Sequence, residues 1–307
     1  MSQLNDVIEQ SVRAQDAPFL VAMVGDKDGI KWSGSSGDRA PGQKATPDTV
    51  FRIFSMTKAV GSTAAMILMD RGKLDPNTPV EAVIPEFAKI KVLDGFDGAT
   101  PRLRAPRGKA TVRQLATHTS GLVYEFWNPD IAKYLEVTKH PSILSGLKAS
   151  LFYPLAFDPG ERWDYGMGHA LYSTAPDYMR FLRMYLNKGQ LDGKRLLSER
   201  AVETLLSNQI GDIKIGLLKT VVPALTADAE FFPGRKKGHS LAFQRIEEDV
   251  PGMRSAGSQF WAGVLNTHFW LDPKKNIAAV LLTQSLPFVE PRFMGVYDRF
   301  ERAVYAL

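Results

Sequence analysis

A helix that opens on Ser55-Met56-Thr57-Lys58 and runs through Ala59-Val60-Gly61-Ser62-Thr63-Ala64-Ala65-Met66-Ile67-Leu68-Met69-Asp70 to Arg71-Gly72 constrains this chain more than any other stretch. Ala, Met, Ile and Leu favour helix, and a basic residue followed by glycine is a common stop. The run from Ala64 to Met69 is apolar on every side, which predicts a buried helix that other layers must cover. Ser55 and Lys58 stand three residues apart, so both fall on one face of the first turn.

That placement has chemical consequences. A serine hydroxyl is a weak nucleophile until a base takes its proton, and Lys58 is such a base only when neutral. Burial and the positive end of the helix dipole both disfavour its ammonium form. Free N–H groups at a helix start can also stabilise an oxyanion. Spacing alone leaves a second reading open, a capping serine followed by a solvated lysine.

A length of 307 residues suggests about two domains. With no cysteine in the chain, disulfides, thiolate metal sites and a cysteine nucleophile are excluded. The five histidines (His118, His140, His169, His239, His268) show no paired metal-ligand spacing, so neither a metal nor another cofactor is expected. Residues 1–10 are polar and do not read as a signal peptide, and no apolar run is long enough to span a bilayer. A cytoplasmic protein without a membrane partner is the resulting expectation. A net charge of +5 is mild. Its clusters at Arg102, Arg104, Arg107, Lys109 and at Arg235-Lys236-Lys237 lack interleaved aromatics, so solvated loops are expected there, not a nucleic-acid face.

Read in order, residues 4–14 form an amphipathic helix, and 19–24 and 30–34 a hairpin around Asp26-Lys27-Asp28-Gly29. Residues 74–109, punctuated by Pro and Gly, read as irregular loops. Thr111 caps a short helix that Gly121 ends. His118, near its end, is expected to bond backbone carbonyls. The aromatics of 123–157, Tyr124 and Trp127 among them, read as core or pocket lining. Helices follow at 175–186 and 198–207, strands at 258–265, 267–271 and 277–283, and a last helix at 294–305, while 211–250 carries no clear pattern. Strands at both chain ends predict an α+β fold, one sheet built by both ends with a helical middle and a site in the cleft between. The subdomains are expected at 1–72 with 251–307, and at 73–250.

Four motifs stand in one order: Ser55-Met56-Thr57-Lys58, Leu115-Ala116-Thr117-His118-Thr119-Ser120-Gly121-Leu122, Pro159-Gly160-Glu161-Arg162-Trp163-Asp164-Tyr165 and Trp261-Ala262-Gly263. That order resembles serine β-lactamase-like proteins, and nearly the whole chain is similar to family VIII carboxylesterases, esterase relatives of class C β-lactamases and penicillin-binding proteins. The resemblance implies a β-lactamase/transpeptidase-like antiparallel sheet flanked by helices. It implies Ser55 as the acylated nucleophile, Lys58 as proton acceptor and Tyr165 as the phenol that shares protons with Lys58 and serves the leaving group. An edge strand would place the N–H of Val264 beside that of Ser55 as oxyanion donors, with Trp261, Ala262, Gly263, Tyr124 and Trp127 lining the pocket.

Two departures stand out. Ala262 replaces the middle glycine of the family's Trp-Gly-Gly. Tyr165-Gly166 also runs almost directly into Met167-Gly168-His169-Ala170-Leu171-Tyr172-Ser173-Thr174-Ala175, where relatives have several dozen residues between, so the helical subdomain is expected to be shortened near 166–168. Met167 stands where lactamases place an Asn. The expected function is hydrolysis of small-molecule carboxylic esters, short-chain acyl esters first, through an acyl-enzyme. Alternatives on the same fold are a β-lactamase or D-Ala-D-Ala peptidase, against which the missing Lys-Thr-Gly argues, and an acyltransferase. A scaffold without catalysis is the alternative of another class.

Overall fold

Both ends of the chain meet in one eight-stranded antiparallel sheet. The computed structural model describes residues 2–166 and 168–307. Helix α1 (Ser2–Arg13) leads into β1 (Phe19–Gly25), β2 (Ile30–Ala40) and β3 (Gln43–Lys44). The other strands come from the last third: β4 (Lys237–His239), β5 (Gln244–Ile246), β6 (Gln259–Gly263), β7 (Thr267–Asp272) and β8 (Ile277–Leu282). Their spatial order is β4-β5-β6-β7-β8-β1-β2-β3. The ends join where β1 pairs with β8, Val21 opposite Leu282 and Gly25 opposite Ala278. Residues in β1, β6 and β7 are buried throughout, β1 as a continuous apolar run and β6 and β7 with Gln259, Thr267, His268 and Asp272 buried among apolar neighbours.

On one face α1 packs against the terminal helix (Pro291–Tyr305), with Leu4 and Ile8 inward. On the other lies the helix Ala175–Leu186, which Thr174 caps through the Asp177 N–H and which buries Tyr178, Met179, Leu182 and Tyr185. Behind the terminal helix, Arg254 and Glu301 are both fully buried and joined by two bonds of 2.7 Å, with Tyr297 completing the cluster.

Several expectations need correction. The sheet takes in residues 237–246, where no pattern was legible, because β4 and β5 bury polar side chains (Lys237, His239, Gln244) instead of an apolar alternation. Residues 92–104, read as loops, form a hairpin of Val92–Asp97 with Thr100–Arg104. Thr111 does cap a helix, in a reciprocal box with Gln114, but that helix stops at Ala116, and His118 takes a left-handed φ of 58° well before Gly121. The helix after Ser55, α2 (Thr57–Asp70), is not buried all round. Only Ala59, Thr63 and Met66 are buried, and Leu68 is 44 % exposed.

Candidate active site

Ser55 sits in a single 3-10 turn (Phe54–Met56) that feeds straight into α2. The turn abuts β6. The approach is tight: a Cβ on Gly263 would lie 2.3 Å from the carbonyl oxygen of Ile53 and 2.4 Å from Thr267 Oγ1. Glycine at 263 lets the strand reach the turn, so its place is structural, and it does not line the pocket in which it was expected. Nor is β6 the outermost strand of the sheet. Beyond it, β5 pairs only with Gln259 and Phe260, leaving residues from Trp261 onward without an outer partner. Val264 follows the strand directly. Among the described residues, neither its N–H nor that of Ser55 makes a hydrogen bond.

Lys58 is the centre of the polar cluster. Its Nζ lies 3.0 Å from Ser55 Oγ, 3.1 Å from the Tyr124 hydroxyl and 2.8 Å from the carbonyl oxygen of Gly168. Burial holds the ammonium well below its ordinary pKa. A neutral amine has two N–H bonds and one lone pair. The Gly168 carbonyl can only accept and takes one N–H, Tyr124 takes the other, and the lone pair is left for the Ser55 proton.

Tyr165 stands elsewhere than the resemblance implied. Its ring, not its hydroxyl, faces the amine, with Nζ 4.3 Å from the ring centroid. The Tyr165 oxygen accepts a hydrogen bond from Trp261 Nε1. Tyr124, read from sequence as lining, is the phenol bonded to Lys58. Burial pushes both phenols above their usual range, and the Ser55 hydroxyl beside each partly offsets this. Both therefore keep their protons near neutrality.

A narrow pocket opens over Ser55. Tyr124, Phe126, Trp127, Tyr165, Trp261, Ala262, Val264 and Phe288 form most of its wall. His118, expected to bond carbonyls, instead accepts the N–H of Gly166 at Nδ1, 3.4 Å away. Met167, noted in place of an Asn, lies outside the described residues. No group of His, Cys, Asp and Glu able to hold a metal is present among the described residues.

A serine and a neutral amine at the head of one helix, above an antiparallel sheet, describe a known family. The beta-lactamase family model matches residues 4–170. This chain belongs to the beta-lactamase family. An uncharacterized protein of Mycobacterium tuberculosis is 27% identical over 323 aligned positions, covering 78% of each protein. Those 323 positions exceed the 307 residues available here, so the relative carries residues with no counterpart in this chain. Monacolin J acid methylbutanoyltransferase of Aspergillus terreus is 40% identical over 121 residues, 39% of this chain and 29% of the transferase. In structure, this beta-lactamase-family chain is similar to simvastatin synthase from Aspergillus terreus (TM-score 0.83, 21% identity, 99% of this chain and 98% of that one). EstCE1, a hydrolase with promiscuous acyltransferase activity, gives a TM-score of 0.73 at 14% identity, over 99% of this chain and 97% of that one. The family is one of serine hydrolases and acyltransferases that act on small acyl substrates, and no helix described is long and apolar enough to cross a membrane.

Proposed function

We propose that this chain hydrolyses short-chain carboxylic esters through an acyl-enzyme on Ser55. The observation that carries the reading is the amine of Lys58, kept neutral by burial and 3.0 Å from Ser55 Oγ at the floor of an apolar pocket. Lys58 takes the Ser55 proton as Oγ attacks the ester carbonyl. The N–H groups of Ser55 and Val264 hold the oxyanion. Tyr124 fixes the amine so that its lone pair meets Ser55. Tyr165, whose oxygen already accepts from Trp261, gives its proton to the leaving alkoxide. Because its ring and not its hydroxyl faces the amine, it regains a proton from water entering the pocket while the Lys58 ammonium releases its own to solvent. The net transfer moves one proton from Ser55 to the departing alcohol. Water, deprotonated by the same amine, then releases the acid. The narrow aromatic wall suits acetyl to butyryl groups.

A second reading, transfer of the acyl group to an alcohol, is favoured by that same lining, which welcomes an apolar acceptor over water. The name of the Aspergillus terreus relative, a methylbutanoyltransferase, points the same way. Rates with p-nitrophenyl butyrate for the wild type and Ser55→Ala test the first reading, and equal rates would sink it. Product analysis with a competing alcohol separates the two: an ester product that grows with alcohol concentration assigns transfer, free acid alone assigns hydrolysis.

A further inference from the structure

His118 has no part in the chemistry described above, yet it touches the segment carrying Tyr165 at three places. Its carbonyl oxygen accepts the N–H of Asp164 at 3.0 Å. Its Nδ1 accepts the N–H of Gly166 at 3.4 Å. Its ring lies on the ring of Tyr165, the centroids 4.6 Å apart. The residue between two gripped N–H groups is Tyr165 itself. A left-handed backbone, φ 58°, lets carbonyl and side chain of one residue reach both neighbours. Behind it, His239 packs edge-on at 5.0 Å and Trp163 at 6.4 Å, so the imidazole has nowhere to swing.

We infer that His118 is a positioning residue that sets the aim of the Tyr165 hydroxyl, and so governs how well esters of poor leaving groups are cleaved. This rests on the role proposed for Tyr165. The chain gives His118 unusual responsibility. Residues beyond Gly166 join almost at once to the strand pair of Phe51–Arg52 with Tyr172–Ser173. On the upstream side, Tyr165 accepts from the Tyr124 N–H at 3.0 Å, and a Cβ on Gly166 would lie 2.2 Å from the Leu122 carbonyl oxygen. The 118–124 segment is thus the rail along which Tyr165 is seated; the imidazole holds the Gly166 N–H from that rail, and the Tyr165 N–H donates to Asp164 Oδ1 at 2.8 Å. Burial, with the nearby His239 and Lys58, keeps this ring neutral and Nδ1 able to accept.

The test compares two esters on each enzyme preparation, so that any loss of folded protein cancels in the ratio. Ethyl butyrate leaves as an alkoxide and needs a proton donor, whereas p-nitrophenyl butyrate leaves as a stabilised phenolate and does not. In His118→Leu, which keeps bulk but removes the acceptor, kcat/KM for ethyl butyrate is expected to fall about 30- to 100-fold and that for p-nitrophenyl butyrate less than about fivefold. In His118→Asn, whose side-chain oxygen can accept and which tolerates a left-handed backbone, both values are expected within about threefold of wild type. Equal losses on both esters in His118→Leu, or an unchanged ratio, would overturn the inference. Ser55→Ala serves as the control for the underlying reading: if it remains active on both esters, the catalytic assignment has failed, not the role of His118. A Tyr165→Phe enzyme with an unchanged ratio removes the leaving-group role directly.

Discussion

Replacing Gly263 with alanine strikes the contact between β6 and the turn that carries Ser55. The added Cβ would stand 2.3 Å from the Ile53 carbonyl oxygen and 2.4 Å from Thr267 Oγ1. Neither atom is free to yield. The carbonyl already accepts the Met56 N–H at 3.0 Å, and Thr267 lies in β7 opposite Gly263 itself. In a close-packed interior, strand and turn must separate by roughly 1 Å to relieve the overlap. Ser55 is two residues beyond Ile53 and Val264 one beyond Gly263, so the separation opens between nucleophile and second oxyanion donor. A misplacement of this size costs about 100-fold in rate, and overpacking about 1–3 kcal/mol in stability. The expected Gly263→Ala enzyme therefore melts several degrees lower and loses about two decades in kcat/KM on p-nitrophenyl butyrate. Measured well below its melting temperature, an enzyme with wild-type kcat/KM would refute the argument, because β6 could then move without consequence for Ser55.

Tyr124→Phe removes the phenol bonded to Lys58 and is expected to lower kcat/KM by about 10- to 100-fold on both good and poor leaving groups, the uniform loss that distinguishes an orienting group from a leaving-group acid. Ala262→Gly removes a methyl from the pocket wall and is expected to raise the ratio of hexanoate to butyrate turnover; an unchanged ratio places that methyl outside the acyl path. Asp164 is pushed up to about 6 by burial, above its value of 3.8 in an unfolded chain. The stability this group contributes is complete below pH 3.8 and lost as pH rises to 6, up to about 3 kcal/mol, so Asp164→Asn should flatten the pH dependence of chemical denaturation between about pH 4 and 6. His268 is the opposite case, lowered to about 3 by burial and by Arg254, with neither ring nitrogen bonded to any described residue. The unfolded chain binds its proton first, so stability falls as pH drops below about 6.5. His268→Phe, among Phe288, Phe293 and Tyr297, is expected to resist acid unfolding better than wild type in circular dichroism titrations.

What the sequence made legible follows from where burial writes a pattern. β8 is an apolar run, β6 and β7 centre on Phe260-Trp261 and Phe269-Trp270-Leu271, and the helix Ala175–Leu186 starts on a threonine cap, so these could be placed from residues alone. β4 and β5 could not, since their buried residues include Lys237, which pairs with Glu230 at 2.7 Å, and Gln244. Such strands owe their place to neighbours distant in the chain. Ser55 and Lys58 were legible because one helical turn joins them. Tyr124 reaches Lys58 across 66 residues, and no local spacing announces such a contact. Two tyrosines are available to one amine, and only packing decides which turns its hydroxyl and which its ring. His118 gave no such signal, because the left-handed backbone past a helix is usually taken by glycine and a histidine there does not announce it.

α2 keeps an open side, and so does the short junction that leads from Gly166 to the helix Ala175–Leu186. Leu68 on α2, and Leu171 and Tyr172 in the junction, are 44 %, 43 % and 57 % exposed. The groups that fix the cluster come almost wholly from elsewhere: Tyr124 and His118 upstream, Trp261 from the sheet. One contact belongs to the junction itself, the Gly168 carbonyl on Lys58. Gly168 holds a φ of 129°, and a Cβ there would lie 2.8 Å from Lys58 Cγ. Only glycine can bring a backbone carbonyl so close beside the lysine stem. That carbonyl takes one of the two N–H bonds of the neutral amine, which leaves the lone pair to Ser55. The junction after Gly166 therefore completes the arrangement on which the proposed chemistry depends.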